Sequence, residues 1–184
     1  MRTYPRAADG LKKMFIAEIL VIVGSLLAWI PLLGSVLSIV GGILCLVGLH
    51  TAGGDDEGYR SAFTLSIINI VLTVILVFVA AVPILGSLLS IVSSLISLAV
   101  IFYVCRTTSN LCSATGHEDV ARKGNTVWTI NLVCTIVSVV LSLLILIPIV
   151  NVLAAVAMLV VAIVELVGYI LYLIFLYKGS AALA

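Results

Sequence analysis

Four polar residues stand inside long apolar stretches, where a membrane interior would give their chemistry a use: Glu18, Asn69, Asn131 and Glu165. An ionised carboxylate at the centre of a bilayer costs roughly 2.5–3.5 kcal/mol even on the lenient insertion scale, so it must face protein, water or a bound cation. Glu165 heads the set as the sole charge in the run 149–177. It suits either a proton or cation path or a hydrogen-bonded contact between helices. Glu165 lies 17 residues after Pro148 and Asn131 lies 17 before it, so a hairpin folded there predicts a Glu165–Asn131 hydrogen bond. Glu18 is five residues past Lys13, closer to the membrane interface, and reads first as structural. Asn69 shares a helical face with Ser66 and Thr73, as Asn131 does with Thr135, Ser138 and Ser142. Around a pseudo-threefold axis, Glu18, Asn69 and Asn131 would meet as a constriction or ion site.

Other chemistry is not visible. The segment 106–124 holds Cys112, His117, Glu118 and Asp119, and a shorter one holds His50, Asp55, Asp56 and Glu57. Neither has the ligand spacing of a zinc or calcium site, so both are expected to be solvated loops with no metal. No nucleotide fingerprint or catalytic triad pattern occurs, and no cofactor is expected. An intramembrane enzyme would need paired groups facing one cavity, whereas the candidates are isolated. Cys45, Cys105, Cys112 and Cys134 show no paired spacing and predict no disulfide framework. Over the few residues Ile16-Ala17-Glu18-Ile19 the chain resembles the first-helix glutamate segment of small multidrug exporters. Those proteins have four helices, so their plan is not carried over.

The elements that hold these residues follow from composition. Of 184 residues, 64% are hydrophobic and 9% charged, with a mean hydropathy of +1.40. Soluble domains carry roughly 25% charged and 45–50% apolar residues, which excludes a soluble enzyme or a secreted scaffold. A net charge of +1 gives no field for nucleic acid, and the partner implied is the lipid bilayer. A hydrocarbon core of about 30 Å needs roughly 20 helical residues. Six runs approach or exceed that length: 14–33, 32–49, 61–82, 84–104, 125–147 and 149–177. They are apolar all round, which fits helices and not barrel strands.

The expected fold is an all-α integral membrane protein, a single membrane domain over 1–184. Its six transmembrane helices form three tandem hairpins, at about 12–50, 60–105 and 122–178. Each outer turn has a proline followed three residues later by Gly or Asn: Pro31 and Gly34, Pro83 and Gly86, Pro148 and Asn151. Small residues recur at spacings of 4, 3, 4 and 3 as Gly34, Ser38, Gly41, Cys45 and Gly48, with Gly86, Ser90, Ser93, Ser97 and Val100 as their counterparts. A weaker third copy runs Asn151, Ala155, Met158, Ala162 and Glu165. Such stripes let helices approach closely, so the even-numbered helices are expected to turn them inward. Arg2, Arg6, Lys12, Lys13, Arg60, Arg106, Arg122, Lys123 and Lys178 all fall on one side, which the positive-inside rule makes cytoplasmic, with both termini there and a plasma (inner) membrane location. Trp29, Tyr169, Tyr172, Phe175 and Tyr177 read as interfacial anchors.

Two functions fit. The first is a small channel or transporter for an ion or small solute that uses Glu165, Asn131, Glu18 and Asn69. The second is a non-catalytic subunit whose small-residue faces contact a second copy or another membrane protein.

Overall fold

Backbone amides in lipid must be satisfied within their own segment, and the chain meets this with helices. The computed structural model describes residues 3–27, 29–30, 32–79, 83–145 and 151–184. Six helices occur there: α1 (Pro5–Leu26), α2 (Leu33–Ala52), α3 (Glu57–Val79), α4 (Pro83–Ala114), α5 (Glu118–Ile145) and α6 (Asn151–Leu183). Among the described residues, five of them, α2 to α6, are long and apolar enough to cross a membrane. The expected sixth span differs. α1 stops at Leu26, and its length includes Asp9, Lys12, Lys13 and Glu18, so too little of the helix is apolar.

The segment 106–124 is also not the expected loop. α4 runs on to Ala114 and α5 starts at Glu118, leaving a turn at Thr115, Gly116 and His117, with Gly116 at φ 84°. Its polar residues are small enough to bury once they are paired. The Tyr59 and Thr108 hydroxyls lie 2.7 Å apart, and Ser109 Oγ donates to the Ala121 carbonyl at 3.1 Å. Cys112 is fully buried rather than solvated.

The first two helices pack through a register of small residues. Gly10, Ala17 and Gly24 recur every seven residues on α1, as Gly34, Gly41 and Gly48 do on α2. They meet in antiparallel order, Gly10 against Gly48, Ala17 against Gly41 and Gly24 against Gly34. A methyl carbon on Gly48 would lie 2.7 Å from the Gly10 carbonyl oxygen, and one on Gly41 would lie 2.8 Å from that of Ala17. Gly42, one position along, would meet nothing within 4 Å. Gly42→Ala is therefore expected to leave thermal unfolding in detergent unchanged or to stabilise by up to about 1 kcal/mol of helix propensity.

Around the bundle each helix packs on the next, and α1 packs on α6, so the six close into a ring. The Tyr4 amide donates to the Leu183 carbonyl at 3.1 Å, which places the described ends of the chain side by side. We call this the terminal end. All the described Lys and Arg residues lie toward it, and so does the core: Leu11, Leu49, Tyr59, Val104, Phe175 and Leu176 are fully buried, and Val127 nearly so. Toward the opposite end the helix faces are mostly exposed apolar residues such as Val71, Val92, Val140 and Leu159, as lipid contact requires.

Of the expected turn residues, Pro31, Val82 and 146–150 lie outside the described residues. Pro83 opens α4, at a position where a missing N–H costs nothing. Gly34 and Gly86 lie within helices, and the left-handed residue before α2 is Leu32, at φ 72°. Gly34 serves close approach to Gly24 instead of a turn angle.

Candidate functional site

The ring encloses a cavity of about 280 Å³ to which all six helices contribute. Glu18 of α1, Cys45 of α2, Asn69 of α3, Ser97 of α4, Asn131 of α5 and Tyr169 of α6 are on its wall. Glu18, Asn69 and Asn131 thus share one cavity at the centre. Its volume is several times the ~30 Å³ that a water occupies in the liquid.

The hydrogen bonds decide which atoms face it unpaired. The Tyr169 hydroxyl donates to Glu18 Oε2, tying α6 to α1, and among the described residues Oε1 has no hydrogen-bond partner. Asn131 Nδ2 donates to the carbonyl of Val127 at 2.9 Å, within its own helix, and its Oδ1 has no partner among the described residues. Asn69 is engaged at both ends of its amide across the α3–α4 contact: Nδ2 donates to Ser97 Oγ at 2.9 Å, and Oδ1 accepts from Ser93 Oγ at 2.6 Å. Ser93 and Ser97 of the α4 stripe therefore turn toward α3, while Ser90 of the same stripe is exposed. Asn69→Ala removes both bonds and is expected to destabilise the folded protein by about 1 kcal/mol, read as a lower unfolding midpoint in a mild detergent.

A second cavity of about 800 Å³ shares Glu18, Asn131 and Tyr169 with the first and adds Cys134, Thr135 and Glu165. A third, of about 560 Å³, shares Thr135 and Glu165 and adds Ser90, Ser94, Ser138 and Ser142. The three adjoin one another, away from the terminal end. Among the described residues, no Lys, Arg or His lines any of them. Toward the terminal end, the buried layer of Leu11, Tyr59, Val104 and Phe175 closes the ring. The arrangement is a recess with largely apolar walls that carry several oxygen acceptors and two carboxylates, closed at one end. Among the described residues, no group of three or more His, Cys, Asp or Glu side chains is placed to hold a metal ion.

Glu165 and Asn131 do not bond to each other as the sequence predicts. Glu165 is exposed and accepts from Ser138 Oγ at 2.6 Å. The cause is side-chain direction: side chains lean toward the N-terminus of their own helix. In antiparallel α5 and α6, residues at one height therefore lean apart. Asn131 leans back to Val127, and Glu165 leans the other way, to Ser138 two turns along α5.

The aromatic residues of α6 also depart from expectation. Tyr172 and Phe175 are buried and Tyr169 lines the cavities, while Tyr177 and Trp29 are exposed. A sequence signal for this existed. Extending the spacing of 4 and 3 beyond Glu165 reaches Tyr169, Tyr172 and the fully buried Leu176. No family model matches the chain, and no curated protein or solved structure matches it.

Proposed function

We propose that this chain is a small membrane transporter for a cation, with Glu18 as the binding group, Asn131 and Tyr169 beside it, and Glu165 in the approach. The observation that supports this reading is the central cavity: its largely apolar wall, drawn from all six helices, carries the Glu18 and Asn131 oxygens with no basic side chain among the described lining residues. Hard cations take oxygen ligands.

The same reading treats the six helices as three tandem hairpins from a triplicated unit, with Asn69 and Asn131 as equivalent positions and Glu18 as their counterpart. It also places the terminal end, with its basic residues, in the cytoplasm. The recess then opens to the outside, and transport requires the Tyr59–Phe175 layer to part. Reconstituted into liposomes, the protein is expected to carry one of H⁺, Na⁺ or K⁺ above the rate of protein-free vesicles. Equal rates for all three would contradict the proposal. A second reading, a subunit covered by another polypeptide, draws on the exposed Ser90 and Ser94 beside the third cavity. It predicts a partner of fixed stoichiometry on purification.

A further inference from the structure

The turn between α2 and α3 holds two arginines in an unusual way. Gly53 and Gly54 are consecutive, and each makes room for one of them. A methyl carbon on Gly53 would lie 2.9 Å from Arg60 Cγ, and one on Gly54 would lie 2.7 Å from Arg6 Cδ. Arg60 is held further by its Nε, which donates to the Gly53 carbonyl at 2.8 Å. Both guanidinium groups are therefore gathered at one two-residue turn, on the wall of a single cleft of about 610 Å³.

Like charges held together favour a counter-charge, and among the described residues no carboxylate forms an ion pair with either arginine, although Asp55, Asp56 and Glu57 follow in the same turn. Among the described residues the sole ion pair is Lys13 with Asp9, at 2.8 Å. Two of these carboxylates keep their charge but are oriented by backbone amides and not by the guanidinium groups. Asp55 accepts from the Ala7 amide at 2.8 Å and Asp56 from the Gly58 amide at 2.7 Å. His50 also lines the cleft, its ring 5.4 Å from that of Phe63. A planar guanidinium fork is suited to phosphate oxygens, which it binds through two parallel hydrogen bonds.

The surroundings favour a lipid as the source of that phosphate. The cleft sits where α2 ends and α3 begins, both long and apolar enough to cross a membrane, which would put it near a headgroup layer. One turn deeper on the same faces as Thr51 and Phe63 are Val47 and Ile67, both exposed and apolar, which suits an acyl chain below a bound headgroup. We propose that Arg6 and Arg60, presented by Gly53-Gly54, bind the phosphate of an anionic phospholipid. This does not rest on the transport reading.

The test is native mass spectrometry of the full chain released from mixed micelles of phosphatidylglycerol and phosphatidylcholine. Two basic residues at a membrane surface correspond to a preference of about thirtyfold for the anionic lipid. Phosphatidylglycerol should be retained in that excess, inorganic phosphate should not displace it, and Arg6→Gln with Arg60→Gln should abolish the preference. Equal retention of the two lipids by the unaltered protein overturns the proposal, whether or not the double variant folds. Displacement by inorganic phosphate overturns the lipid assignment in favour of a free anion. A preference that survives in a folded double variant overturns the assignment to these arginines.

Discussion

Glu18→Gln is expected to lower cation flux through the reconstituted protein by roughly ten- to a hundredfold, the loss that follows when a charged ligand worth about 1.5–3 kcal/mol becomes a neutral one. Glutamine keeps the volume and can still accept from Tyr169, so the bundle should fold as before. What changes is the charge facing the central cavity. Glu165→Gln should cost only a few-fold, because Glu165 is exposed in the approach and its hydrogen bond is to Ser138 rather than to the central group. This ordering reverses the one that hydropathy suggests, in which Glu165 stands deepest in its span and Glu18 lies near an interface. Liposome flux of the two variants side by side checks it. Equal effects, or a larger one at Glu165, would move the binding group out of the centre.

The second large effect is on stability. Gly48→Leu is expected to prevent native packing of α1 on α2, and Gly48→Ala to destabilise by about 1–3 kcal/mol. The reason is that the obstacle is backbone: the added carbon meets the Gly10 carbonyl oxygen at 2.7 Å, and a carbonyl in a helix cannot swing aside as a side chain can. Close approach drives helix association where lipid offers no hydrophobic gain. The reading fails if Gly48→Ala unfolds at the same detergent concentration as Gly42→Ala, whose added methyl meets open space.

These cases show what could be read from residue types and what could not. Apolar runs predict helices and all but one of the spans, since the period and length of a lipid-facing helix are local properties. Glu18, Asn69 and Asn131 do line one cavity, but the sequence brings them together only if a pseudo-threefold axis is assumed, which their distances to the turns do not themselves require. The expected bond between Glu165 and Asn131 was not, since equal height in antiparallel helices does not make side chains meet when they lean in opposite directions. Thr107, Thr108 and Ser109 look like loop residues, and only their neighbours Tyr59 and Ala121 make their burial possible. The seven-residue spacing of Gly10, Ala17 and Gly24 was present in the sequence, but it gains meaning only beside Gly34, Gly41 and Gly48. The two-arginine cleft depends on a segment near the start of the chain reaching a turn some fifty residues later, which no local pattern records.

Whether the centre of the ring is hydrated from one side is the claim on which the account depends. It is tested most directly by thiol labelling in a cysteine-free background, with a membrane-impermeant sulfonate reagent applied to either face of sealed vesicles. Ser138→Cys, in the approach, and Ser66→Cys, on the wall of the central cavity, should both react from the face opposite the terminal end and from that face alone. Ala62→Cys, in the buried layer that closes the ring, should react from neither. A Ser66→Cys thiol that stays unreactive from both faces would mean a dry, filled centre and would contradict a cation path through it.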